Sequence, residues 1–360
     1  MKRRRSGAGS GRRTRRGAYR ESTIGELILL SAAGMIFIVV IPIAAVALLG
    51  GGLDGFSGIF WNGEDEPNPS DRIETPETIT VWQSEKKKTV EVDFEEYVSR
   101  VVASEMPGTF QEEALKAQSV AARTYAMSRL VNYEEKKPEA HPKAPVCDTT
   151  HCQVYKTEKT LIDIHAEGWE QEEWAKIQKA CRATEGQLLY YEGELVMQPL
   201  FFSSSGGQTE NSEDVFVSAV PYLISVESPY EEEATHREEE KRFAVKDFAE
   251  KLEDAYPQRE LGDISQKTIK ILDRTAGGRV SRMQVGDGED GILKGTEVRT
   301  ALGLSSALFT IRFEEDRVIF TSSGSGHGVG LSQYGADGMA REGYDYKEIL
   351  RHYYSGTQVG

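Results

Sequence analysis

A long uncharged run near the start of the chain is the first strong pattern in the sequence. No charged residue occurs from Leu27 to Leu53, and the run consists mainly of Leu, Ile, Val, Ala and Gly. This exceeds the roughly 20 apolar residues that are needed to span the hydrocarbon core of a membrane. We therefore predict one transmembrane helix over residues 27–49. A cleaved secretory signal is the alternative, although its apolar region would be only about 7 to 15 residues long.

The charges on the two sides of this run predict its orientation. Residues 2–26 contain nine Lys or Arg and two Glu, whereas the first charged residues after the run are acidic. Because basic flanks stay on the cytoplasmic side, residues 1–26 are predicted to be cytoplasmic. The polar, acidic and Pro-containing residues 50–78 have the composition of a linker. Residues 79–360 then form one extracytoplasmic domain.

Alternating and helical patterns follow each other at the start of this domain. The segments TITVW and KTVEVD alternate as the two strands of a hairpin do. Four apolar residues from Tyr97 to Val102 then recur at helical spacing, which places Glu105 in the last turn of a helix. Thr109 and Glu112 have the spacing of a capping box, which predicts the start of a second helix.

The rest of the domain mixes helices and strands, with a hairpin predicted at the turn formed by Glu192 and Gly193. Further helices are predicted at Trp169–Ala183, at Phe243–Tyr256 and as a pair before Gly356, and strands near Lys267–Leu272, Arg279–Val285, Leu308–Phe313 and Val318–Thr321. This order predicts an α+β fold of mixed helices and antiparallel strands.

Composition and charge narrow the range of functions. With 39% hydrophobic residues in a chain of 360, the protein can bury a core and is not disordered. Its formal net charge is -15 even with the basic start included, so the predicted domain is strongly acidic. Nucleic acid requires a basic face that displaces its counterions, so we expect no nucleic-acid partner.

Glu105 is the candidate catalytic residue. It lies in the segment VVASEMPG, between apolar neighbours and at a helix C-terminus, where the helix dipole disfavours negative charge. Burial and the dipole both raise a carboxyl pKa, which suits a general acid near neutral pH. A solvated glutamate that merely ends the helix is the alternative.

The segment HPKAPVCDTTHC offers four candidate metal ligands: His141, Cys147, His151 and Cys152. Their nitrogen and sulfur atoms are those that tetrahedral zinc prefers. Because adjacent side chains often point apart, we expect His141, Cys147 and Cys152 as three ligands, with His151 or water as the fourth. A disulfide between Cys147 and Cys152 is the alternative.

Two loops of small residues are candidate substrate-binding segments, because their hydroxyl and amide groups can hold sugar hydroxyls. FFSSSGGQTE follows a predicted strand, and SGSGHGVGLSQYGA surrounds a histidine with glycines. The second loop lacks the Lys of a phosphate loop, so no nucleotide is expected. A plain surface loop and a structural histidine are the alternatives. The candidate substrate-binding residues in these loops are Ser204, Ser205, Gly206, Gly207, His327, Gln333 and Tyr334. Arg123, in the second predicted helix, is a further candidate.

Four segments together resemble the family of stage II sporulation protein D and the amidase enhancers. They are VDFEEYVSRVVASEMPGTFQEEALKAQSVAARTYA, DTTHCQVY, LFFSSSGGQTE and GSGHGVGLSQYGADGMAREGYDYKEILRHYYSGT. Their order and spacing are more specific than any one of them. The acidic stretch Tyr230–Ser265 and the long Arg-rich start are less typical of the family.

The resemblance implies a lytic transglycosylase that cleaves the β-1,4 bond between N-acetylmuramic acid and N-acetylglucosamine in peptidoglycan strands stripped of stem peptides, leaving 1,6-anhydro ends. The family's catalytic glutamate corresponds to Glu105. The resemblance also implies a structural zinc ion and a place in the mother-cell membrane during forespore engulfment. Stage II sporulation protein P, an amidase, and stage II sporulation protein M are the implied partners.

Two other functions remain open. A non-catalytic module that binds glycan and enhances a cell-wall amidase would keep the Gly and Ser loops without needing Glu105. Alternatively, a zinc ion with three protein ligands would leave a position for a catalytic water.

Overall fold

A β-hairpin opens the part of the chain that the computed structural model describes, residues 72–360. Strands β1 Thr78–Gln83 and β2 Lys88–Asp93 pair antiparallel, as predicted. The predicted cytoplasmic segment, the predicted transmembrane helix and nearly all of the predicted linker lie outside the described residues. None of the helices formed by residues 72–360 has the length and hydropathy that crossing a membrane demands.

The remaining elements mix helix and strand in irregular order, which confirms the α+β class. The helices are α1 Phe94–Glu105, α2 Glu112–Tyr133, α3 Glu158–Ile164, α4 Ala175–Ala183, α5 Ser212–Val215, α6 Val245–Ala255, α7 Gly295–Leu302, α8 Gln333–Arg341 and α9 Tyr346–Tyr353. The further strands are β3 Val146–Cys147, β4 Leu189–Tyr191, β5 Glu194–Leu195, β6 Phe201–Phe202, β7 Glu239–Ala244, β8 Lys270–Arg274, β9 Val280–Gln284, β10 Ile292–Lys294, β11 Phe309–Glu314, β12 Arg317–Ser322, β13 Leu331–Ser332 and β14 Thr357–Val359. A π-helical turn, Glu170–Trp174, leads directly into α4.

The strands form several small sheets. β1 lies between β2 and β3, β9 between β8 and β10, β12 between β7 and β11, and β4 between β5 and β14. Most pairs are antiparallel, as predicted, but β1 pairs with β3 and β6 pairs with β13 in parallel. The prediction of antiparallel strands missed these two pairs because parallel neighbours are joined by long connections that carry no local turn signal.

Helix α2 is the central element of the fold. Nearly all of its residues from Ala114 to Ser128 are buried, and it packs against α1, α4, α8 and α9. Its small alanine side chains permit short distances between the helix axes. Helix α2 contributes residues to two of the three apolar core clusters among the described residues.

The third core cluster belongs to a subdomain of residues 239–322, called here the inserted subdomain. Apolar side chains from Phe248 to Phe320 hold α6, α7 and the strands β9 to β12 together. Its first and last residues, Glu239 and Ser322, pair with each other across β7 and β12. The inserted subdomain therefore leaves and rejoins the chain at one place.

Two predicted helix starts differ from those in the structure. The second helix has no capping box at Thr109: it begins after Gln111, whose backbone N–H donates to Asp337 Oδ1 at 2.7 Å. Phe243 belongs to β7, and the following helix begins at Val245. In both cases a partner distant in the sequence, which no local pattern reveals, determines where the helix starts.

Candidate active site and metal centre

Glu105 is the last residue of α1, as predicted, because the backbone of Met106 is extended. The backbone N–H of Val154 donates to Glu105 Oε1 at 2.7 Å. Burial raises the pKa of Glu105, and the Val154 hydrogen bond and the Lys156 charge only partly oppose this rise. The net upward direction suits a carboxyl group that must first donate a proton and then accept one.

The loop after Glu105 connects this residue to the start of α8. The Phe110 ring contacts Tyr334 edge-on, with ring centroids 5.0 Å apart. The backbone N–H of Tyr334 in turn donates to the carbonyl of Ser203 at 3.0 Å. These contacts therefore connect the loop between α1 and α2 with the two small-residue segments that were predicted to bind substrate.

Four side-chain atoms of the HPKAPVCDTTHC segment converge within 4.8 Å of one another: His141 Nε2, Cys147 Sγ, His151 Nδ1 and Cys152 Sγ. His141 Nε2 lies 3.3 Å from both His151 Nδ1 and Cys152 Sγ, and His151 Nδ1 lies 3.8 Å from Cys147 Sγ and 3.6 Å from Cys152 Sγ. Tetrahedral ligands bound at about 2.0 to 2.3 Å from zinc are about 3.3 to 3.8 Å apart. The cluster could therefore hold a tetrahedral metal ion.

The surroundings of this cluster favour metal binding. His141 Nδ1 lies 2.9 Å from the Ala144 carbonyl, so an Nδ1–H donor leaves Nε2 free as a ligand. Cys147 and Cys152 are both free thiols, so the alternative disulfide is not formed in this structure. A hydrogen bond with Cys152 lowers the pKa of Cys147 to about 4, which supplies one thiolate at neutral pH. His151 points into the cluster beside Cys152, contrary to the expectation for adjacent side chains.

The His/Cys cluster and Glu105 share a short backbone segment. Cys152 belongs to the cluster, and Val154, two residues later, donates to Glu105. Between them, Gln153 is buried and accepts a hydrogen bond from the Tyr97 hydroxyl at 3.2 Å. Any displacement at the cluster would therefore move the group that holds Glu105.

The carboxylate of Glu231 organises the SSSGG loop. It accepts backbone N–H bonds from Ser205 at 3.0 Å and Gly206 at 2.9 Å. It also accepts the hydroxyl of Ser228 at 2.7 Å and that of Ser332, the N-cap of α8, at 2.5 Å. These donors compensate for the burial of the carboxylate. Glu231 could not be predicted from the sequence, because its partners lie in three separate segments.

Within the SSSGG loop, the serines and the glycines play different parts. Ser204 and Ser205 are 1% and 0% exposed, and of the two only Ser204 lines a neighbouring cleft. Gly206 and Gly207 are exposed and have φ values of +80° and +114°, which favour glycine. The two glycines are therefore the loop residues that a large ligand would touch first.

Both ring nitrogens of His327 form hydrogen bonds with the protein backbone. Its Nδ1 accepts the Val329 N–H at 3.1 Å, and its Nε2–H donates to the Phe201 carbonyl at 3.1 Å. Burial lowers the pKa of His327 to about 4, so the ring is neutral at physiological pH. A neutral ring with both nitrogens engaged supports the structural alternative for this histidine.

Gln333 and Tyr334 begin α8 and differ in exposure. Gln333 is 6% exposed, and its Nε2 lies 3.4 Å from Gln118 Oε1 inside the core. Tyr334 is partly exposed and lies beside the loop that follows Glu105. Of these two candidates, Tyr334 is therefore the more accessible, and it lies against the loop that follows α1.

Arg123 was wrongly included among the substrate-binding candidates. Its side chain is completely buried, and it forms two hydrogen bonds with the Glu95 carboxylate, at 2.7 and 2.6 Å. It also donates to the carbonyls of Cys181 and Gln187. Since protein groups surround the guanidinium, Arg123 holds α1, α2 and α4 together and has no surface that a glycan could reach.

Comparison with family models divides the chain into two matched parts. A model described as Stage II sporulation protein matches residues 83–191, which include Glu105 and the His/Cys cluster. A domain of unknown function (DUF8618) matches residues 220–330, which include Glu231, the inserted subdomain and His327.

Whole-chain comparison identifies similar curated proteins. Stage II sporulation protein D of Bacillus subtilis is 38% identical over 285 residues, which cover 79% of this chain and 79% of that protein. The protein of the same name from Bacillus amyloliquefaciens is 36% identical over 287 residues, with 79% of each chain covered. The amidase enhancer of Bacillus subtilis is 28% identical over 310 residues, which cover 72% of this chain and 39% of that protein.

Proposed function

Since the chain belongs to the family of stage II sporulation protein D, we propose that it is a peptidoglycan lytic transglycosylase that acts in sporulation. Its substrate would be glycan strands without stem peptides, and it would cleave the β-1,4 bond between N-acetylmuramic acid and N-acetylglucosamine. The products would carry 1,6-anhydromuramic ends.

The environment of Glu105 carries this proposal. The carboxyl group is partly buried at the end of α1, its pKa is raised, and Val154 fixes one of its two oxygens at 2.7 Å. No neighbouring carboxylate among the described residues contributes to this pKa shift. A glycosidase that uses two carboxylates would place its pair about 5 to 10 Å apart. A single carboxyl group with a raised pKa suits an intramolecular mechanism, which needs no second carboxylate.

In this mechanism Glu105 acts twice. It first donates its proton to the glycosidic oxygen as the bond to the muramic acid C1 atom breaks. The resulting carboxylate then accepts the proton of the muramic acid 6-hydroxyl while that oxygen attacks C1 and closes the 1,6-anhydro ring. The proton count balances without water, and Glu105 ends in its protonated form, ready for the next cleavage.

We further propose that the His/Cys cluster binds zinc as a structural ion. His141, Cys147, His151 and Cys152 would supply all four ligands, which is typical of structural sites, whereas catalytic sites keep one position open. When bound, zinc supplies a fixed crosslink of the loop before Val154. This donor set makes the hypothesis of a metal-bound catalytic water the less favoured one.

The relative named amidase enhancer supports a second candidate function. In this alternative the chain binds glycan without cleaving it and stimulates a cell-wall amidase. The small-residue loops would then form the glycan-binding surface, and stimulation of the amidase would not require Glu105.

We propose the mother-cell membrane as the location, with the domain outside the cytoplasm and the predicted helix at 27–49 as its anchor. Peptidoglycan strands would be the substrate, with stage II sporulation proteins P and M as partners in engulfment. The sequence patterns of residues 1–78 and the family membership support this arrangement.

The test compares the full-length wild-type chain with Glu105→Gln and with a matched surface control, Glu253→Gln. Each is incubated with peptide-free glycan strands, and the released sugars are identified by mass spectrometry. We expect 1,6-anhydromuramic ends from the wild type and the control but not from Glu105→Gln. Reducing ends would indicate hydrolysis instead. No cleavage by folded wild type, combined with stimulation of an amidase, would establish the second candidate.

A further inference from the structure

A cleft of about 1000 Å³ lies between the SSSGG loop and the segment that leads into the inserted subdomain. One wall includes Ser204, Gly206 and Gly207, and the opposite wall is formed by residues between 227 and 238. The volume is at the upper end of the range for small-molecule sites, so the cleft can take several sugar units. No lining residue falls within the 83–191 segment that contains Glu105.

Arg279 connects the inserted subdomain to the SSSGG loop, which forms one wall of the cleft. Its guanidinium, 3% exposed, donates to the Ser205 carbonyl at 2.9 Å and lies 3.2 Å from the Glu210 carboxylate. Glu231 holds the same loop from the other side, through Ser205 and Gly206. The wall is therefore preorganised before any ligand arrives.

The electrostatic character of the cleft is negative. Glu227, Glu232 and Glu238 are exposed at its edge, and none of the three forms an ion pair with another residue in the range 72–360. Of the basic lining residues, Arg237 donates to a backbone carbonyl and His236 bonds a neighbouring glutamate. The free carboxylates therefore outnumber the cations, which disfavours anionic ligands and favours cationic ones.

A buried hydroxyl in the cleft wall also lacks a partner. Ser204 is 1% exposed, and its Oγ makes no hydrogen bond within the described part of the chain. Buried polar atoms are nearly always paired, so an unpaired one that lines a cleft indicates a missing donor or acceptor. A hydroxyl-bearing ligand in the cleft would supply it.

We propose that the cleft binds the protonated amino groups of a glycan strand, as they occur on glucosamine units without the N-acetyl group. Glu227, Glu232 and Glu238 would receive the ammonium groups, and Ser204 with the open glycine face would receive sugar hydroxyls. The largely polar lining favours a sugar over a protein segment, since protein interfaces have an apolar centre. This inference rests on the proposed action on glycan strands and adds a preference for strands with free amines.

The experiment measures binding separately from cleavage. The full-length chain carrying Glu105→Gln is titrated calorimetrically at about pH 6, where amines are protonated. The probes are a β-1,4-linked tetramer of glucosamine, the matching tetramer of N-acetylglucosamine and a tetralysine peptide. The test variant adds Glu227→Gln, Glu232→Gln and Glu238→Gln. The control adds Asp247→Asn, Glu253→Gln and Asp254→Asn on the exposed face of α6, with the same change in net charge.

We expect the glucosamine tetramer to bind about tenfold more tightly than its acetylated counterpart, because several weak ionic contacts add up. The test variant should lose this difference and the control should keep it. Ser204→Ala should weaken binding of the glucosamine tetramer a few-fold without lowering the unfolding temperature, since Oγ has no partner in the free protein.

Three results would overturn the proposal: equal affinity for both tetramers, equal losses in the test and control variants, or preferential binding of tetralysine. None of them affects the assignment of Glu105, which the cleavage assay with peptide-free strands decides by its own products. Conversely, loss of cleavage activity in that assay would leave a selective affinity for the amino sugar measurable.

Discussion

Replacement of Arg123 by methionine tests most directly whether this residue belongs to the core or to a binding surface. Methionine retains much of the apolar length of the side chain and removes the guanidinium. The Glu95 carboxylate then loses two hydrogen bonds, and the carbonyls of Cys181 and Gln187 each lose the hydrogen bond that a guanidinium nitrogen donates. The perturbation therefore affects the junction of α1, α2 and α4, and not a solvent-exposed surface.

The expected loss of stability follows from burial. Removal of one member of a fully buried ion pair costs about 3 to 5 kcal/mol. The Arg123 side chain is 0% exposed but that of Glu95 is 26% exposed, so water can partly resolvate the freed carboxylate. We therefore expect the lower end, about 3 kcal/mol, which corresponds to roughly 5 °C in unfolding temperature for a unit as large as residues 72–360.

The assay is calorimetric unfolding of the full-length chain, with Arg282→Met as the matched control. Arg282 also contacts a carboxylate, Asp273, but the two side chains are 56% and 53% exposed. Exposed pairs contribute about 0 to 1 kcal/mol, so this control should unfold within about 2 °C of the wild type. Glycan cleavage by Arg123→Met, measured well below its unfolding temperature, should remain close to that of the wild type.

An unchanged unfolding temperature for Arg123→Met, together with a large rise in the KM for glycan strands, would refute this reasoning. It would return Arg123 to the substrate-binding residues. A double-mutant cycle with Glu95→Gln gives a second check, because a coupling energy near zero would contradict the bidentate contact.

Three further predictions follow from the site. Burial raises the pKa of Glu105, so the protonated form is lost as pH rises through this raised value, and cleavage should decline there. The folded wild type should also lose stability over this pH range, because its raised pKa favours the protonated folded state only at lower pH. Glu105→Gln, which cannot titrate at this position, should not show that loss. Identical pH profiles of unfolding for the two proteins would contradict the shift. Zinc removal by a chelator should lower the unfolding temperature. Elemental analysis should find about one zinc per wild-type chain and less in Cys147→Ser. A zinc-free chain that unfolds at the same temperature as the zinc-bound chain would exclude a structural ion. Glu231→Ala should destabilise the fold by about 3 kcal/mol or more, since it removes the acceptor of four buried or partly buried donors, of which the Ser228 hydroxyl can still bond to Tyr353. Urea unfolding measures this loss, and a change below about 1 kcal/mol would show that water replaces the carboxylate.

Local patterns in the sequence were sufficient for most of the helices and strands. The apolar spacing from Tyr97 to Val102 predicted α1 and placed Glu105 in its last turn, as the structure has it. The alternation around Glu192 and Gly193 predicted the β4–β5 hairpin, and both residues have the positive φ that such a turn requires. These features are set by side chains a few residues apart, so they can be read without the fold.

The metal centre was predicted from the sequence only in part. The residue types in HPKAPVCDTTHC indicated a metal centre, because nitrogen and sulfur ligands in one short segment have few other uses. Their spacing did not decide whether His151 joins Cys152 or points away. The bend of the loop after β3, and the bond of His141 to the Ala144 carbonyl, bring all four atoms together.

Contacts between distant segments were decided only by the tertiary structure. Arg123 was predicted from the sequence to bind substrate, yet packing buries it against Glu95, 28 residues away. Glu231 carried no signal at all, and its importance arises because the fold brings the SSSGG loop and the N-terminus of α8 to one carboxylate. A sequence determines periodicity and residue chemistry, whereas burial and hydrogen-bond partners depend on which surfaces meet after folding, and that is a property of the whole chain.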